Sequence, residues 1–67
     1  REDQALIGVG AILLHHLKEG QTITGLWDKV RGESSVGTYE RFVLALDLLY
    51  IMGVVDISNG MIHREVS

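Results

Sequence analysis

Sixty-seven residues, 46% of them apolar, are enough for one small domain and no more, and a chain of this size hides only about 60% of the surface its unfolded form exposes. The absence of cysteine excludes disulfides and thiolate metal sites and fits a reducing, cytoplasmic setting. A net charge of −3, with six Lys and Arg scattered along the chain, argues against the basic patch that grips nucleic-acid phosphates.

The first apolar run, residues 5–14, contains Gly8 and Gly10 and spans ten residues; a bilayer crossing needs about twenty. Glu2 and Asp3 precede it, so the basic start of a signal peptide is missing and no membrane contact is expected. The chain opens on Arg1 rather than Met, and we therefore expect residues 1–67 to be a single domain lacking an N-terminal segment.

Glu2 to Lys18 reads as a helix closed by Gly20. Leu6, Val9, Gly10, Leu13 and Leu17 recur at three- and four-residue spacing and share one face, which Ile7, Ile12 and Leu14 widen. Glycine inside a helix costs about 1 kcal/mol against alanine, so another helix is expected to pack closely across Gly8 or Gly10. "QTIT" reads as a short extended stretch, with Thr24 as the N-cap of a short helix "GLWDKVR". Trp27, at the third position of that helix, is expected in the core beside Leu26 and Val30. "GESSVG" is loop by composition.

Thr38 then caps a third helix from Tyr39 to Met52, and Gly53 supplies its left-handed stop. Beyond it the period shortens: "VVDIS" and "MIHREV" are strand-like runs flanking Asn59-Gly60, a pair suited to a tight hairpin turn. The order of elements predicts a mainly α fold with a small β-hairpin, a winged helix-turn-helix of three helices plus a C-terminal wing.

The third helix, "YERFVLALDLLYIM", carries more apolar surface than one stripe requires. At about 100° per residue, Phe42, Ala45, Leu46, Leu49 and Met52 fall on one side, where a winged helix packs its third helix on the first two. Val54 and Val55 continue that core. Val43, Leu44, Asp47, Leu48 and Ile51 fall on the opposite side. In a DNA-binding winged helix this side enters the major groove with Arg, Lys, Asn, Gln or Ser. Here four of the five are aliphatic and the fifth is an anion that phosphates repel. Either the N-terminal helix or upstream residues cover this face, or it binds a protein, since large exposed apolar patches mark interaction sites. The second reading makes Val43, Leu44, Asp47, Leu48 and Ile51 the partner-binding residues, extended by Gly8 and Ala11.

No other constellation points to chemistry. "GVGA" lacks the preceding strand and third glycine of a phosphate loop. His15 and His16 are neighbours, about 100° apart on a helix, and cannot chelate as an i, i+4 pair does. His63 lies in the hairpin with no carboxylate companion in view, and Ser34 and Ser35 have no matched base. We expect no enzyme, no metal and no cofactor. The alternative is a winged-helix DNA-binding regulator with Arg31, Arg41, His63 and Arg64 on phosphates. Homodimerisation through the second face is a further option.

Taken together, "EDQALIGVGAILLHHLKEGQTITGLWDKV" and "TYERFVLALDLLYIMGVVDISNGMIHR" resemble the middle components, of the kind numbered six, of bacterial ABC-three-component systems. The "ALIGVGA" start, the "TITGLW" segment, the "RFVLALDLLY" run and the glycine-hairpin ending carry the likeness over nearly the whole chain. The resemblance implies a part in antiphage defence, in which a small adaptor connects an ABC-type, coiled-coil-bearing ATPase to an effector. It implies no catalytic residues.

Overall fold

The computed structural model describes residues 2–65. Helix α1 spans Glu2–His16, strand β1 Gln21–Thr22, helix α2 Ile23–Val30 and helix α3 Tyr39–Ile51. Strands β2, Val55–Ser58, and β3, Met61–Arg64, complete the chain order. The expected class holds: three helices with a C-terminal hairpin, in a winged-helix-like layout. The sheet, however, has three strands in the order β1-β3-β2, all antiparallel. Gln21 pairs Ile62 and Thr22 pairs Met61, so the short stretch before α2 becomes an edge of the wing.

The hairpin turn follows from its residues. Asn59 and Gly60 have φ of 54° and 73°, and a two-residue type I′ turn requires positive φ at both central positions. The closure of α3 is equally local. Gly53 takes φ 77°, its N–H donates to Tyr50 O at 3.0 Å, and Val54 N–H donates to Leu49 O at 2.9 Å. These are the paired bonds of a Schellman stop. At the other end Thr38 Oγ1 accepts from Arg41 N–H at 3.2 Å, as its position predicted.

Three local readings are corrected. Helix α1 ends at His16 rather than Lys18, because the chain must turn there to drop Leu17 into the core, where it is 8% exposed. Arg64, from the far end of β3, stabilises this early stop by donating to Leu14 O at 2.7 Å and Leu17 O at 3.3 Å. The cap of α2 is Thr22, not Thr24: Thr22 Oγ1 accepts from Gly25 N–H at 2.9 Å. Starting there places Ile23 against the core and makes Trp27 the fifth helical residue, not the third. Met52, expected on the packing side, is 59% exposed, since it is the C-cap and lies past the last packed turn.

The core joins Val9, Leu13 and Leu17 of α1 and its turn to Leu26 and Val30 of α2, and to Phe42, Ala45, Leu46 and Leu49 of α3. Val55 and Ile62 extend it into the sheet, and Val54 packs half-buried beside them. Val36, set in the polar loop before α3, is fully buried. Trp27 is half-buried beside the core, edge-on to Tyr39 at 5.2 Å and tilted on Phe42 at 5.3 Å between ring centroids.

Candidate protein-binding surface

Helices α1 and α3 come close together at Gly10. A Cβ placed there would stand 3.1 Å from Leu49 Cδ2, whereas one at Gly8 would meet nothing within 4 Å. The close crossing expected at either glycine therefore occurs at Gly10. It seats Val9, Gly10 and Leu13 against the packing side of α3 and leaves the opposite side of α3 uncovered by the described part of α1.

That uncovered side forms one wall of a groove of about 400 Å³, lined by Leu6 and Ile7 of α1 and by Leu44, Asp47, Leu48 and Ile51 of α3. Ile51 is 79% exposed, Ile7 58% and Leu44 47%. Four of the five residues assigned to a partner thus line one surface. Val43 does not join them; it is half-buried against the core. Gly8 is exposed outside the groove, and Ala11 belongs to a separate shallow depression with Ile12, His15, His16 and Glu33.

Leu6 and Ile7 are the lining residues that periodicity placed elsewhere, on the face of α1 turned to the core. The available signal was that α1 is apolar around most of its circumference, so one flank had to lie outside any single packing stripe. Asp47 is exposed at the middle of the α3 wall, and no ion pair between described residues includes it.

The residues set out for DNA contact are engaged within the chain. Arg64 bonds the C-terminal carbonyls of α1. Arg41 Nε donates to Val36 O at 3.1 Å and its Nη2 to Ser35 O at 3.3 Å, holding the loop before α3. Arg31 lies 3.7 Å from Asp28 and 5.6 Å over the Trp27 ring. His63, expected to lack a carboxylate, has Glu19 Oε2 at 2.8 Å from its Nδ1. The fold delivers that partner from 44 positions away in sequence.

His15 and His16 stand edge-to-face with ring centroids 5.2 Å apart, and His16 Nε2 lies 3.8 Å from Glu33. Among the described residues no group of three or more His, Cys, Asp or Glu is placed to hold a metal ion. No described helix is long and apolar enough to cross a membrane.

The family model for the ABC-three component (ABC-3C) system Middle Component 6 matches residues 1–64. The chain belongs to this family. Neither a curated protein nor a solved structure matches it. Membership makes the chain a component of a multi-component ABC system, and a middle component has protein partners to meet.

Proposed function

We propose that this middle component is a non-enzymatic adaptor that binds a protein partner in the α1–α3 groove and couples an ABC-type ATPase to an effector in antiphage defence. The observation that carries this reading is the composition of the outward side of α3. The helix stands where a winged helix reads DNA, yet it presents Leu44, Leu48 and Ile51 around a carboxylate. Such a surface has no base-reading donors, and its charge opposes phosphate. It has the aliphatic content of the buried centre of a protein interface. Coupling then follows from linkage: a rearrangement of the ATPase that changes how the groove is engaged shifts the effector's state by that difference in binding free energy.

The test is co-purification from cells expressing the whole system, using the products of the neighbouring genes as bait. Ile51→Lys and Leu48→Lys should abolish recovery of the chain while the isolated variants keep a helical circular-dichroism spectrum. Recovery at the wild-type level from either variant removes this surface from consideration.

A further inference from the structure

The α3 wall of the groove presents Leu44, Asp47, Leu48 and Ile51, at helical positions i, i+3, i+4 and i+7. At 1.5 Å per residue this stripe is about 10 Å long. Leu6 and Ile7 of α1 close the opposite wall. A trough between two helices, with aliphatic walls and that length, fits the apolar edge of a third helix, the helix-in-groove mode of recognition.

Asp47 decides what kind of helix. Among the described lining residues it is the only charge, it sits between aliphatic neighbours, and no described cation pairs with it. A wholly apolar occupant would cover the carboxylate and strip its water without return, which is costly. A second copy docked by two-fold symmetry would bring the same stripe, whose charge is another Asp47, and like charges across an interface oppose association. Anionic phosphates and lipid headgroups are repelled for the same reason. An arginine or lysine opposite Asp47 satisfies the acid while aliphatic anchors on either side fill the trough.

We propose that the groove seats an amphipathic helix of another protein, bearing one basic residue between its aliphatic anchors. The proposal rests on the adaptor reading above and names its partner's chemistry.

The probe is a stapled helical peptide with leucine at i, i+4 and i+7 and arginine at i+3, beside a twin with glutamate at i+3. Fluorescence anisotropy measures both against the full chain, Asp47→Asn and Asp47→Lys, each checked by circular dichroism. The arginine peptide should bind the wild type at least about tenfold more tightly than its twin. Asp47→Asn should shrink that preference and Asp47→Lys should reverse it. Equal affinity of the two peptides, binding of neither, or a wild-type dimer in sedimentation whose formation needs Ile51 overturns the proposal. If Ile51→Lys breaks co-purification yet the peptides bind equally, this inference fails and the adaptor reading stands. If Ile51→Lys leaves co-purification intact, the adaptor reading itself has failed.

Discussion

Gly10 and Leu49 set the distance between α1 and α3: a single added methyl group at position 10 would stand 3.1 Å from Leu49 Cδ2. The consequence reaches the groove, because the same two helices supply both of its walls. Gly10→Val should force the helices apart and cost about 1–3 kcal/mol, the usual range for overpacking a filled core. Gly8→Ala should do the opposite. Its Cβ meets nothing within 4 Å, so the variant gains helix propensity, up to about 1 kcal/mol. Thermal melts of the two variants should move in opposite directions, by several degrees each, on the scale of about 4–8 °C per kcal/mol for a domain this small.

The caps offer a comparison between neighbours. Thr22 holds the Gly25 N–H at 2.9 Å, while Thr24 lies within the first turn of α2. Thr22→Ala should therefore destabilise by about 1 kcal/mol, and Thr24→Ala by less than about 0.5 kcal/mol. Urea midpoints at unchanged m-value separate the two. Equal losses would return the cap to Thr24.

Arg64 distinguishes a structural role from a nucleic-acid one. Its guanidinium bonds Leu14 O and Leu17 O, charge-assisted contacts that are exposed or partly so, and Arg64→Met should cost about 1 kcal/mol. A DNA-binding regulator would instead lose affinity and salt slope with little change in stability. Parallel melts and low-salt binding assays with duplex DNA decide between them.

The two sides of α3 should respond differently to change. Leu49 is 6% exposed and Ile51 79%. Leu49→Ala should cost about 2–5 kcal/mol and loosen the whole domain. Ile51→Lys should leave stability within about 0.5 kcal/mol of wild type and remove partner binding. A large stability loss from Ile51→Lys would mean that its side chain is buried within the chain after all.

Elements whose signals are local were legible from the residues. Asn59-Gly60 specifies its turn because few residues tolerate positive φ in succession. Thr38 and Gly53 bound α3 because a cap needs only its own first or last turn. The two-sided character of α3 follows from its 3.6-residue period, which grouped Leu44, Asp47, Leu48 and Ile51, together with Val43, which packs against the core instead. What long-range packing decides was not legible. Val36 lies in a polar loop by composition yet is fully buried, since burial depends on what the loop folds over. The end of α1 at His16 rather than Lys18 goes with the burial of Leu17 and the Arg64 contacts to Leu14 O and Leu17 O, and the Glu19–His63 pair depended on the wing folding back.

The covalent order of residues by itself determined the class of fold, the Thr38 cap and Gly53 stop that flank α3, and the chemistry of its outward side, because dihedral preference and helical period act over a few residues. Helix α3 itself ends at Ile51, one residue short of the expected Met52, which serves as its C-cap. Tertiary structure alone decided that the described part of α1 leaves that side uncovered, that Leu6 and Ile7 complete the groove while Val43 leaves it, and that Arg41 and Arg64 turn to backbone carbonyls. Those outcomes depend on how two helices cross at Gly10, a contact between residues 39 positions apart that no local preference encodes.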